Sequence, residues 1–330
     1  MQINIFNGFT LKDICINFVS LEFMRYFRGI GSFTLVLNSL DEASKFSIGD
    51  YIMLNTDTYI VENIHKFKKA DKSVEVEITG NHLKSILQRR VVRAFSFDTT
   101  TSYEQASKQL VTENFINSEN ADRNIENMIV VDSEVQTFPT TPISLEKLSV
   151  ASMLNTFLSY QQLGYDLKLD TVNKQYVFEV LQPTDKSNSV YFSETFGNAS
   201  ECDYYNDVTS EKNVCYIFTD DMTQSESIGG GTGIDRKEMF VEGQYNSELS
   251  DNKALESANV ELLETDMYTY QKDYDVGTIV TYFDKTFGIS TSKQINCITE
   301  YYSDVEKIEI NIGDFVPTIF DKILKKMKGA

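Results

Sequence analysis

Hydrophobic and polar positions alternate over much of the first ninety or so residues. Val74, Val76 and Ile78 alternate with Glu75, Glu77 and Thr79, as a strand with one buried face requires. The period then changes. Leu83, Ile86 and Leu87 recur at helical spacing, which predicts a short helix folding back as a plug on the sheet. Upstream, residues 3–6, 21–26, 32–37, 51–54 and 59–66 read as further short strands, broken by turns at 28–31, 48–50 and 70–72. Residues 1–92 are therefore expected to form a small antiparallel barrel closed by its plug helix.

The character shifts after Arg93. Ser102 and Gln105 make a capping box that opens a helix at 102–114, and a second apolar face predicts a helix at 148–163. A strand at 129–131 and a hairpin of 165–169 with 176–181 complete a mixed α/β insert over 93–189. Strands at 190–192, 213–219, 278–283, 294–302 and 305–312 assign a second barrel to residues 190–222 and 272–315. Between its two parts, residues 223–271 read as a crossover followed by a helix at 252–265. Residues 316–330 read as an amphipathic, basic tail. The expected fold class is β-rich α+β: two related small antiparallel β-barrels with an inserted mixed α/β region.

Charge narrows the function. The 330 residues carry 49 acidic and 30 basic side chains, a formal net charge of −19, which argues against a protein that grips phosphates. No specific nucleic-acid binding is expected. No apolar run approaches the roughly 20 residues of a membrane span, and the start MQINIF lacks the features of a signal peptide, so synthesis in the cytosol is expected. Cys15, Cys202, Cys215 and Cys297 lack CxxC spacing and read as free thiols.

Candidate chemistry is sparse. His65 and His82 are the two histidines, and neither belongs to an HExxH or an obvious triad. Glu201, Asp203, Asp207, Asp220 and Asp221 could supply a glycosidase carboxylate pair, yet 49 acids cluster by chance and there is no Trp to stack on a sugar. The Asp203 to Asp207 stretch, read as an acidic loop, lacks the glycine and closing Glu of a calcium loop. The GGGTG at 229–233 is expected to lack both the entering strand and the following Lys-Ser or Lys-Thr of a phosphate loop. Arg89, Arg90 and Arg93 fit a helix C-terminus facing carboxylates of a neighbouring subunit. No catalytic, cofactor-binding or metal residue is assigned, and no enzymatic activity is expected.

The order YFRGIGSFTLVLN, SIGDYIML, EVEITGNHLKSILQRRVV resembles the N-terminal barrel of tail hub proteins from long-tailed phages of Gram-positive bacteria. YFSETFGNASECDYYNDVTSEKNVCYIF and YDVGTIVTYFDKTFGISTSKQINCITEYY look like the same family's return strands and closing barrel. The resemblance implies a fold similar to the T-even baseplate hub, with two barrels per subunit, so that a homotrimer continues a six-fold tail tube. It implies as partners the tail tube or distal tail protein, the tape-measure protein and a spike or fibre. It also places the protein in the tail tip of a virion or a tail-like bacteriocin. Relatives append a peptidoglycan-cutting or receptor-binding domain, so a chain ending at Ala330 is expected to leave lysis to another protein. The rival readings are a cell-wall hydrolase and a carbohydrate-binding adhesin that uses exposed tyrosines.

Overall fold

A computed structural model describes residues 1–133, 135–140, 142–209, 211–218, 224–242, 255–263 and 265–314. The first seven strands are β1 (Ile3–Asn7), β2 (Thr10–Cys15), β3 (Ser20–Tyr26), β4 (Ser32–Leu37), β5 (Tyr51–Leu54), β6 (Asp57–Lys68) and β7 (Val74–His82). Alternation sets their faces: β3 and β4 each bury every second residue, and Leu21, Phe23, Phe33 and Leu35 meet Ile3, Ile5 and Ile52 in one core. A one-turn helix α1 (Leu40–Ala43), capped by Ser39, carries Ala43 into that core.

The insert holds β8 (Val91–Phe97), α2 (Tyr103–Val111), β9 (Met128–Val130), β10 (Ile143–Ser149), α3 (Val150–Ser159), β11 (Gly164–Asp170) and β12 (Gln175–Leu181). The expected capping box is present, with Ser102 and Gln105 bonding each other's backbone N–H. Leu154, Phe157 and Leu158 of α3 pack with Phe95, Phe97 and Tyr103 in a second core. The short helix after β7 is a 3₁₀ run, Leu83–Arg89, and it belongs here: Leu83, Ile86 and Leu87 enter the insert's core rather than that of the first strands. It anchors the insert and is not a plug.

The remaining strands are β13 (Thr184–Asp185), β14 (Tyr191–Phe192), β15 (Ala199–Asp207), β16 (Val214–Phe218), β17 (Gln224–Gly229), β18 (Glu238–Glu242), β19 (Leu255–Leu262), β20 (Thr278–Asp284), β21 (Ile289–Tyr302) and β22 (Glu306–Gly313). Three expectations are corrected here. Residues 255–262 of the expected helix form β19, because Ala258, Val260 and Leu262 go inward and Asn259 outward, a period of two. The acidic loop from Asp203 to Asp207 is part of β15. The GGGTG is entered by a strand, β17, although no Lys-Ser or Lys-Thr follows. Residues 252–254, the tail at 316–330, and Asp220 and Asp221 lie outside the described residues.

The protein is β-rich α+β, and its main body is one large antiparallel sheet. Fourteen strands join along the path β15-β19-β22-β21-β3-β4-β7-β6-β5-β1-β2, with β20 antiparallel on β21 and the two-residue strands β13 and β14 parallel on β20. No hydrogen-bonded barrel closes among the described residues. β16, β17 and β18 stand in a small separate sheet, so β16 does not join the second half as expected.

The sheet contains a repeat. β3-β4-β7-β6-β5 and β15-β19-β22-β21-β20 have the same spatial order and the same chain order. The row Leu21, Leu35, Ile78, Ile64 crosses the first set, and Cys202, Val260, Ile310, Ile298 crosses the second. Both long strands carry a bulge at the same place, between Val61 and Asn63 in β6 and between Ile295 and Cys297 in β21. Gly49 and Gly277, at φ 89° and 88°, donate to Val61 O and Ile295 O at 2.8 Å each, just before β5 and β20. Each half wraps its own core, the second from Val260, Val280, Ile298 and Ile310.

Ser102→Ala removes one half of the capping box of α2. It is expected to cost about 1 kcal/mol in urea unfolding, and no loss would mean that the box is not formed in solution.

Candidate functional site

The two halves meet along one ladder. β21 pairs with β3 from Cys297↔Tyr26 to Tyr302↔Leu21, beyond the point where β20 stops covering β21. This seam holds a knot of buried charge. Arg25 from β3 is 8% exposed. Its Nη1 lies 2.6 Å from Asp275 Oδ1 and its Nη2 3.4 Å from Oδ2, while Nη1 also donates to Tyr270 Oη at 2.7 Å. Arg25 Nε sits 2.6 Å from Asp57 Oδ2, a charge contact without an aligned hydrogen bond. Tyr270 Oη in turn donates to Glu300 of β21 at 2.7 Å, and Tyr302 Oη donates to Glu300 at 2.8 Å.

The insert is tied to the same place. Phe27 follows β3, donates its N–H to Asn296 O at 3.0 Å and accepts from Tyr165 N at 3.3 Å. A side chain at Gly164 would come within 2.6 Å of Phe27 O, and one at Gly277 within 2.3 Å of the Phe27 ring. Only glycine lets β11 and the loop before β20 approach Phe27 from two sides. Lys84, wholly buried, donates to Tyr26 O at 2.6 Å and Tyr165 O at 3.4 Å. Seam and insert therefore share one polar centre.

Burial sets the titration of this centre. It opposes the charge on Asp57, but the hydrogen bond from His82 and the charges of Arg25 and Lys84 outweigh it and hold Asp57 below 3.8. It raises Glu300 above 4.5 despite the hydrogen bonds from Tyr270 and Tyr302. Burial likewise pulls Lys84 below 10.5.

A cleft of about 500 Å³ opens on the knot, lined by Arg25, Asp57, His82, Lys84, Asp166 and Lys168 among others. The Asp57–His82 pair in it resembles part of a triad, with Nε2 3.4 Å from Oδ1. His82 Nδ1 accepts the N–H of Lys84 at 3.2 Å, which puts the proton on Nε2, facing Asp57. Both nitrogens are occupied, and His82 serves as the N-cap of the 3₁₀ run. It has no lone pair left for a base.

The other expected residues are scattered. His65 is exposed on β6. Glu201 and Asp203 stand exposed on one face of β15, while Asp207 at its end accepts from Tyr205 Oη at 2.6 Å and Thr209 N at 2.7 Å. Arg89 approaches Glu62 of its own chain at 3.6 Å, and Arg90 donates to Arg123 O at 3.4 Å. Among the described residues no group of three or more His, Cys, Asp or Glu could hold a metal, and no helix is long and apolar enough to cross a membrane. A larger cleft, about 850 Å³, is lined by Tyr268, Tyr270, Tyr274, Tyr301 and Tyr302. Three of their hydroxyls bond to carboxylates, and that of Tyr268 accepts the Tyr191 N–H.

Solved structures share this architecture over almost the whole chain. The tail protein from Neisseria meningitidis MC58 matches with a TM-score of 0.63 at 13% identity, covering 94% of this chain and 96% of its own. The prophage MuSo2 43 kDa tail protein from Shewanella oneidensis gives 0.63 at 11%, covering 95% and 98%. The prophage tail protein gp18 from Listeria monocytogenes EGD-e gives 0.61 at 12%, covering 99% of each. A search among curated protein sequences finds no match. The fold is that of phage and prophage tail proteins. The chain belongs to the Siphovirus ReqiPepy6 Gp37-like protein family, whose profile matches residues 2–314.

Two outcomes follow for the knot. Arg25→Met leaves the buried Asp57 without its main counter-charge and is expected to cost about 3 kcal/mol in urea unfolding; a loss under about 1 kcal/mol would show the knot to be incidental. With pH, the signs oppose. Asp57, lowered when folded, stabilises fully above 3.8 and loses this as pH falls through its folded value. Glu300, raised when folded, stabilises fully below 4.5 and loses this as pH rises through its folded value. Relative to wild type, Asp57→Asn should fall behind as pH rises from 2 to about 5, and Glu300→Gln should gain as pH rises from about 4 to 7. The same sign for both would contradict these assignments.

Proposed function

We propose that this tail protein is the hub of the tail tip, a homotrimer that adapts a six-fold tail tube to a three-fold spike or fibre and leaves an axial channel. The observation that carries this reading is the internal repeat. Each chain holds two five-stranded units of one topology, joined head to tail through β21 and β3. Three chains then present six similar units about an axis, which is what a six-fold tube needs from a three-fold protein. The two units here correspond to the two barrels of the family, each open at its edges within a single chain. The tube or distal tail protein would stack on one side of the ring and the spike or fibre on the other, with the tape-measure protein in the channel.

The charge balance suits a passage for DNA. At −19 per chain, an acidic lumen repels phosphate instead of binding it. Hydrolase chemistry lacks support in the geometry, since His82 is fully engaged and Glu201 and Asp203 stand exposed on β15. A sugar-binding surface would need the cleft tyrosines free, and the hydrogen bonds already made by four of their hydroxyls weigh against it.

Light scattering on the purified protein tests the assembly. Three chains of 37.7 kDa should give about 113 kDa, alone or with the neighbouring tail proteins; a chain that remains monomeric with them would overturn the proposal.

A further inference from the structure

The repeat makes one strand edge conspicuous. Within the chain, the end of β21 beyond its bulge, Cys297 to Tyr302, is covered by β3. The equivalent end of β6, Asn63 to Lys68, has β7 on one side and, among the described residues, no strand on the other, because β5 reaches only Ile60. Conversely β15, the equivalent of β3, pairs with β19 on one side and has no strand on its outer side among the described residues. One copy of the repeated joint is made inside the chain. The two strands that would make the other copy are both present, at different ends of the chain's own sheet.

We infer that the free end of β6 in one protomer pairs antiparallel with β15 of the next, reproducing between chains the ladder that β21 and β3 form within one. The inference rests on the trimeric reading above and supplies its interface. A head-to-tail contact of this kind needs two different, complementary surfaces, and these two qualify. The β6 end and its hairpin carry Lys66, Lys68, Lys69 and Lys72 on a chain of net charge −19, and β15 carries Glu201, Asp203 and Asp207, so the two edges attract at long range, while within the ladder Lys66 and Lys68 lie on the face opposite to Asp203. Among the described residues Lys66, Lys68 and Lys72 form no ion pair, and Phe67 between two of them is 52% exposed. Opposite charges speed such an encounter, while lysines on an open edge keep the lone chain from indiscriminate pairing.

The register follows from the repeat. Leu21 and Cys202 hold equivalent places in the two rows, as do Ile64 and Ile298. Since Tyr302 faces Leu21, Lys68 of one protomer should face Cys202 of the next. By the same step Phe67 faces Asp203, Lys66 faces Tyr204 and His65 faces Tyr205. Phe67 then lies diagonal to Tyr205 and loses its exposure to water.

Cys202 makes the register testable. Directly opposed residues have Cα atoms about 4.5–5.5 Å apart, inside the disulfide range of about 4.4–6.8 Å. Lys68→Cys, oxidised with copper phenanthroline and run without reductant, should give linked two- and three-chain bands. Lys68→Cys with Cys202→Ser should give none, and Phe67→Cys, whose side chain points to the other face, should give none. A wild-type trimer in which Lys68→Cys links no more than its Cys202→Ser control would overturn the register while leaving the hub reading intact. A wild-type monomer would remove the hub reading and this contact together.

Discussion

The ladder between β21 and β3 is the constraint on which the rest of the molecule depends. A chain with two similar strand units could have folded as two separate modules on a tether. Here the last strands return to the first, and residues nearly three hundred apart in sequence become neighbours in a sheet. Arg25 makes that closure specific. Its guanidinium reaches Asp57 from the first half and Asp275 from the second, so slipping the seam by one residue would strand buried charge. Phe27, wedged against Gly164 and Gly277, extends the same lock to the insert.

That arrangement suits a protein whose task is to hold a shape. A cluster of its buried charged groups, Arg25, Asp57, His82, Lys84 and Glu300, sits at the junction between units, where they are held by one another and by the backbone. Both nitrogens of His82 are used in structure, and Lys84 spends its protons on two backbone carbonyls. The hub proposed above would need such joints to be rigid.

Much of this was legible in the sequence. The alternation of β3, β4 and β5 set their positions almost to the residue, that of β7 set its start but stopped at Thr79, short of His82, and Ser102 and Gln105 marked the start of α2. Errors arose where a local signal was ambiguous. β19 contains Ala258, Leu262 and Glu261, good helix formers, and only pairing with β15 and β22 settles its period as two. β2 is exposed along most of its length, so it has no apolar stripe to reveal it. β8 and β10 have their pattern blurred by charged residues on their outer faces. The knot could not have been foreseen at all, since Arg25, Asp57, Asp275 and Glu300 share no spacing. What sequence reading does carry is the expectation of two related units, and the matched rows of the sheet give it physical content.

The central claim is that six equivalent strand units from three chains surround one axis. End-on electron cryo-microscopy averages of the purified assembly test it most directly. The expected result is a ring of six similar lobes with three-fold symmetry, a central opening, and continuous sheet density across both kinds of joint. A ring of any other chain number, or three chains whose sheets touch only through loops, would contradict it.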